Sequence, residues 1–277
     1  MNEFLHVMTL PFLACLILAG IHAYLGLHVI ERQVIFVDLA LAQIAALGAS
    51  LALVFGYGMD SAQSYWLSLG FTVAGAAIFS LSRFKKQRIP QEAIIGITYA
   101  VSAALLVMVL SRSGEGDEHI RQALVGNILL VTPGEIIKIG IIYSIIGFFH
   151  FVFREKFLLI SQKPQEAFEK GWNVRFWDFI FYASFGVVVT SSVKIAGVLL
   201  VFSFLVVPSA AAILFSGRTK TRLLLGWGIG FFASALGMAL SYFFDFPTGA
   251  SVVCVFGGLL TILTLLASVR MCLKKPS

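Results

Sequence analysis

Residues 34–57 read VIFVDLALAQIAALGASLALVFGY, an apolar run broken by one acid, Asp38, and one amide, Gln43. A run of this length is what a helix needs to cross a hydrocarbon core of about 30 Å, for which roughly 20 apolar residues suffice. An ionisable group inside such a segment points by default to function, and its structural alternative is an acid capped by neighbouring helix ends or by Arg32. Gln43 has a similar pair of readings, as a group lining a pathway or as a hydrogen bond between packed helices.

The rest of the chain agrees with a membrane setting. Of 277 residues 59% are hydrophobic and 12% charged, a balance far from that of soluble globular domains. Alternating strands with regular turn signals are absent, so the expected fold is an all-α integral membrane bundle of about eight to nine transmembrane helices. The spans are predicted at 4–30, 34–57, 64–82, 91–111, 135–153, 177–192, 194–216, 221–243 and 248–270. No linker divides them, and 1–277 reads as a single transmembrane domain. MNEFLHVMTL, residues 1–10, has no basic n-region and reads as part of a retained span. Cys15, Cys254 and Cys272 have no C-x-x-C spacing and are expected to be packing residues.

Basic residues set the orientation. Arg83, Lys85, Lys86 and Arg88 form one cluster, and Arg154, Lys156, Lys163, Lys170 and Arg175 a second. Arg218, Lys220 and Arg222 form a third, and Arg270, Lys274 and Lys275 the last. Nine spans bring all four to one face, the cytosolic one, and leave the amino terminus outside. The net charge of +6 is then a matter of topology and membrane lipid, and no nucleic-acid partner is required.

The chain has no phosphate loop, no H-E-x-x-H and no G-x-S-x-G, so no enzyme signature is present. If the role is transport, its energy must come from a gradient or from another polypeptide. Small residues recur at helical spacing, Gly226, Gly230 and Ser234 in one span and Ala42, Ala45, Ala46 and Ala49 in another. Such patches let helix backbones approach closely.

Three stretches carry a family resemblance: QEAFEKGWNVRFWDF (165–179), VKIAGVLLVFSFLVVPSAAAILFSGRTK (193–220) and SYFFDFPTGASVVC (241–254). With QEAIIGITYAVSAALLV at 91–107, they resemble the permease subunit of zinc, manganese and iron ABC importers. Ala167 and Gly171 match an A-x-x-x-G segment, Gly197 to Pro208 a G-V-L-L-V…P span, Asp245 to Ala250 a D-x-P-T-G-A motif, and Glu92 the acidic place. The resemblance covers nearly the whole chain. It implies a homodimer in a bacterial or archaeal cell membrane, which is the inner membrane if the cell is Gram-negative, with a cytosolic ABC ATPase and an extracytoplasmic metal-binding protein. No cofactor is implied within the chain itself; ATP is used by the partner, and a metal ion is the cargo. For coupling to the ATPase it implicates the segment after Pro208, with Ser209, Ala210 and Ala211 continuing a helix out of the membrane and Arg218, Lys220 and Arg222 forming a basic turn; an ordinary positive-inside loop accounts for the charges equally well.

The family's second span reads F-x-G-D-A-L-A-H-A-x-L-x-G, with an acid and a histidine four apart on one helix face. Alignment puts Leu39 and Gln43 in those two places, so the expected ligand pair is missing, and a neutral amide oxygen is a weak substitute for zinc. At about 100° per residue, Leu39, Gln43, Ala46 and Ser50 share a stripe, while Asp38 falls with Ala42, Ala45 and Ala49. If the span begins at residue 33, Gln43 lies roughly 15 Å in and Asp38 about a third of that depth. The candidate pathway is Leu39, Gln43, Ala46, Ser50 and Asp38. Weaker metal candidates are Asp38, His22, His28 and Glu92, although His22 and His28 lie about 120° apart in rotation and Glu92 also suits a helix dipole. Asp245 reads as structural, and SGEGDEH at 113–119, with three acids and His119, as an external loop that touches the delivering protein, collects cations or is merely solvated. Two further readings stay open: the same architecture carrying a metal chelate or another cargo, and a gradient-driven carrier using Asp38 and Glu92 as proton sites.

Overall fold

The computed structural model describes residues 2–58, 61–83, 89–111, 124 and 126–273. Lys85, Lys86, Arg88, the 113–119 stretch with His119, Lys274, Lys275 and the side chain of Cys272 lie outside what it describes. With no water to satisfy peptide groups in hydrocarbon, a spanning chain must close its own hydrogen bonds, and this one does so in helices. Among the described residues eight helices are long and apolar enough to cross a membrane: α1 (Asn2–Glu31), α2 (Val37–Val54), α3 (Ala62–Leu81), α4 (Gln91–Leu110), α5 (Pro133–Val152), α8 (Val174–Phe215), α9 (Thr219–Phe244) and α10 (Thr248–Leu273). Two short ones, α6 (Arg154–Gln162) and α7 (Pro164–Glu169), lie between α5 and α8.

Local chemistry sets several boundaries. Ser61 caps α3 by accepting from the Ser64 amide at 3.1 Å. At α5 the Thr132 hydroxyl accepts from the Glu135 amide at 3.3 Å, and Glu135 Oε2 accepts from the Thr132 amide at 2.9 Å. That reciprocal exchange satisfies donors a helix start leaves free, just ahead of Pro133, whose missing N–H costs nothing there. Asn173 Oδ1 accepts from the Phe176 amide at the start of α8. Asp245 ends α9 in the left-handed region, φ 55°, as a short polar residue can.

The two predicted spans 177–192 and 194–216 form one run of 42 residues, with Gly197 at φ 74° and ψ 160° as the break inside it. Forty-two residues of helix extend about 63 Å, twice the hydrocarbon thickness. The segments on either side of Gly197, 174–196 and 198–215, are each long enough for one crossing. The junction moves from residue 193 to 197 because only glycine enters that conformation without a steric penalty.

The loop predicted at 154–176 is largely helical instead. Ile160, Ala167 and Val174 are buried in a small apolar cluster, with Leu159, Phe168, Trp172 and Trp177 packed against it. Lys163 begins the turn between α6 and α7, and Pro164 opens α7. This gives the A-x-x-x-G spacing a physical reason: Ala167 is fully buried, and Gly171 turns the chain at φ 70°.

The chain forms two compact units. Unit 1 takes its described residues from Met1–Ile30, Val125–Ile141 and Ile195–Ser277. Within it α1 and α9 run antiparallel, with Ala23 against Gly226, Ala19 against Gly230, and Phe4 edge-on to Tyr242 at 5.0 Å. The small-residue spacing of α9 thus serves close packing. Gly26 meets the backbone of Leu205 and the hydroxyl of Ser209, while Gly126 packs against Ala196 and Gly197. Unit 2 takes Glu31–Leu124 and Ile142–Lys194. In it α2 packs against both α3 and α4. Gly48 lies against Leu67 and Ser68, and the Ser68 hydroxyl donates to the Ala45 carbonyl at 2.7 Å. Along the inner side of α8, Ser184 pairs with His150 at 2.8 Å and Ser191 with Tyr143 at 3.2 Å. The seven-residue spacing on both helices brings those pairs to one seam.

Candidate translocation site

Helix α2 starts without a side-chain cap. Asp38, in its first turn, is buried, and its Oδ1 has no hydrogen-bond partner among the described residues. Glu92, at the start of α4, turns Oε1 to the Phe36 amide at 3.0 Å, immediately before α2, and its Oε2 is likewise unpartnered among them. Glu92 therefore has a definite contact as an acceptor at the entry to α2.

Leu39, Gln43 and Ala46 are all partly exposed, whereas Asp38, Ala42 and Ala45 are buried. The two faces predicted from the helical period are thus distinct in the folded chain. Ser50 departs from its stripe: it is buried, and its hydroxyl donates to the Leu47 carbonyl one turn back at 2.8 Å. Ala49 takes the partly exposed place instead. Gln43 Oε1 has no partner among the described residues, so the amide bridges none of them through its oxygen.

The sequence alternative that gave Asp38 a cap from Arg32 is corrected by the geometry. Arg32 Nη1 lies 2.5 Å from Asp178 Oδ1, and Arg83 Nε lies 3.1 Å from Asp178 Oδ2, all three side chains being almost fully buried. This trio was missed from the sequence. The signal was an acid, Asp178, at the second position of the predicted span 177–192, where an ionisable group asks for a partner.

The remaining candidates separate. His22 is buried and donates from Nδ1 to the Leu18 carbonyl at 2.8 Å, an ordinary bond within its own helix. His28 is buried with its ring edge-on to Tyr24 at 4.7 Å. Among the described residues no three His, Cys, Asp or Glu side chains come together as a metal site. Ser209 is buried and donates to the Ala23 carbonyl at 3.1 Å, and Ala211 is fully buried. Both lie on a packed stretch of α8, which continues as helix to Phe215. Arg218 and Lys220 are exposed, Arg222 is half-buried and donates to the Ser216 carbonyl at 2.6 Å, and Ala210 is half-buried.

Long apolar helices, one of them carrying buried polar atoms without a partner among the described residues, mark an integral membrane protein in which those groups are candidates for function. The sequence model of the ABC 3 transport family matches residues 5–269, and the chain belongs to that family. It is a multi-pass membrane protein. Its relatives include the manganese transport system membrane protein MntC of Listeria innocua, 27% identical over 69% of this chain and 70% of that one. Another is the manganese import system permease protein ScaB of Streptococcus gordonii, 29% identical over 60% of this chain and 59% of that one. Among solved structures, PsaBC from Streptococcus pneumoniae in complex with Fab superposes with a TM-score of 0.77, covering 95% of this chain and 94% of that chain at 20% identity. That likeness is one of fold.

Proposed function

We propose that this chain is the membrane-spanning subunit of an ATP-driven importer of divalent transition-metal ions, manganese, zinc or iron. In this reading it works as a homodimer with a separate cytosolic ATPase and an extracytoplasmic metal-binding protein, and both units act together as one permease domain. The family match over 5–269 carries the reading, and relatives that bear manganese in their names support the cargo. The test is uptake of a panel of ions by the chain reconstituted with its ATPase and binding protein. ATP-dependent accumulation of a divalent ion is expected, and uptake that follows a proton gradient without ATP would overturn it in favour of a secondary carrier.

The candidate pathway is the partly open face of α2, Leu39, Gln43 and Ala46, with Asp38 on the adjoining packed face. With leucine and an amide at 39 and 43, this face offers a passing ion no anionic ligand. That observation keeps a second reading, transport of a ligand-wrapped metal, whose own shell would replace protein donors. Restoring the pair tests whether this face of α2 can be made to hold an ion. Leu39→Asp with Gln43→His sets carboxylate and imidazole four residues apart on one face, a geometry that binds divalent first-row ions. About one zinc or manganese per chain is expected to copurify with the double variant. Gln43→Ala is expected to change transport only mildly, since a neutral amide contributes about 1 kcal/mol. Metal analysis of the purified proteins, beside uptake rates, checks both.

For coupling, Arg218 and Lys220 are the exposed members of the turn between α8 and α9, with Arg222 shaping that turn and Ser209, Ala210 and Ala211 supporting it from within. Reversing both exposed charges, Arg218→Glu with Lys220→Glu, is expected to lower ATP-driven uptake on the order of tenfold, equivalent to about 1.4 kcal/mol of docking free energy. Unchanged uptake at normal protein level would move the contact to the α6–α7 segment.

A further inference from the structure

One carboxylate in unit 2 gathers four segments. Asp178 at the start of α8 holds Arg32, the first residue after α1, and Arg83, two residues past α3. The same guanidiniums reach α6: Arg32 Nε donates to Ser161 Oγ at 2.8 Å and Arg83 Nη2 to the Ile160 carbonyl at 3.3 Å. Arg32 also lies 3.9 Å above the Phe181 ring, a stacking contact that a planar guanidinium makes and an ammonium does not.

Arg32 anchors the start of the connector that leads into α2. Gln33, the next residue, adopts φ 57°, the left-handed region that a residue with a Cβ occupies only when its surroundings hold it there. The connector then reaches Phe36, whose amide is taken by Glu92, and α2 begins at Val37. The segment leading into α2 is therefore fixed at both ends and strained between them, while α2 has no side-chain cap of its own. At 100° per residue, a slip of one residue would turn the 38/42/45 face to where the 39/43/46 face stands.

We infer that Arg32 is a positioning residue for transport: held by Asp178 and Ser161, it fixes the rotation of α2 and so decides which of the two faces is presented to the cargo. The inference rests on the reading of the 39/43/46 stripe as pathway lining. Removal of Arg32 leaves Arg83 and Asp178 as a balanced pair, so the charge of the cluster stays compensated while the hold on the connector is lost.

The test uses Gln43→Cys and, separately, Ala42→Cys in the full chain in proteoliposomes. Each is treated with a small water-soluble methanethiosulfonate, and modification is read at that position by peptide mass. With Arg32 present, position 43 is expected to react and position 42 to be protected. Adding Arg32→Gln is expected to slow reaction at 43 about tenfold and to raise it at 42, as a face rotated by about 100° would, with the protein eluting as the unmodified chain does. Arg32→Lys keeps the positive charge but cannot span both Asp178 and Ser161, and is expected to fall between the two; it also serves if the glutamine variant does not fold. Reaction at 43 that is the same with arginine, lysine and glutamine overturns the positioning role alone. Failure of position 43 to react with Arg32 present overturns the pathway reading, and the positioning role falls with it.

Discussion

Asp178→Asn is expected to abolish accumulation of the folded protein. The substitution leaves the guanidiniums of Arg32 and Arg83 buried with no carboxylate between them, when both side chains are at most 6% exposed. Breaking a buried pair by removing one partner costs about 3–5 kcal/mol, because the remaining charge is uncompensated in a low-dielectric site. Here two charges are stranded by one change. A domain has only about 5–15 kcal/mol of stability in total, so the detergent-extracted variant should aggregate, or melt well below the parent. Combining it with Arg32→Gln and Arg83→Gln removes the stranded charges and should recover much of the yield. Recovery by either glutamine alone would show that one arginine reaches water. Thermal unfolding followed by fluorescence-detected size exclusion distinguishes these outcomes.

Gly26→Ala is expected to have the next largest effect. A Cβ at this position would overlap the Leu205 carbonyl oxygen and the Ser209 hydroxyl at once. Neither neighbour yields easily: the first is helix backbone, and the second is engaged with the Ala23 carbonyl at 3.1 Å. Forcing extra volume into a packed contact costs about 1–3 kcal/mol, and a clash with backbone belongs at about 3. Ser209→Ala in the same chain removes only the side-chain overlap and is expected to restore little. A near-normal melting temperature for Gly26→Ala would mean that α1 and the second part of α8 separate more readily than their packing indicates.

The spans were readable because hydrophobic length is a local property, and each predicted segment falls within a few residues of a helix. The junction at Gly197 was displaced by four residues because hydropathy does not record the backbone angle that only glycine enters freely. The helices α6 and α7 were read as a loop, since their apolar residues are few and find partners only when Ile160, Ala167 and Val174 converge. In the candidate site, the two faces of α2 followed from the 3.6-residue period, and the folded chain keeps them apart. Ser50 left its stripe because a serine in a helix can satisfy its own hydroxyl one turn back, an option that period alone does not weigh. The pairing of Arg32 with Asp178 joins residues 146 positions apart. Nothing in the local pattern favours that partner over Asp38, six residues away. Likewise the contact of Ser209 with Ala23 of α1 joins residues 186 positions apart, which no local pattern records.

The two units are also unequal in when they can be completed. Unit 2 has all of its chain once Lys194 has been made, whereas unit 1 owns the first helix and the last two. At about 5–20 residues per second, synthesis from Lys194 through α10 takes on the order of several seconds. During that interval Arg32, Arg83 and Asp178 are already able to meet, while Ala19 and Ala23 of α1 still wait for the glycines of α9. α1 is thus made before unit 2 yet gains its α9 partners only after it, so for that part of the chain packing lags well behind emergence.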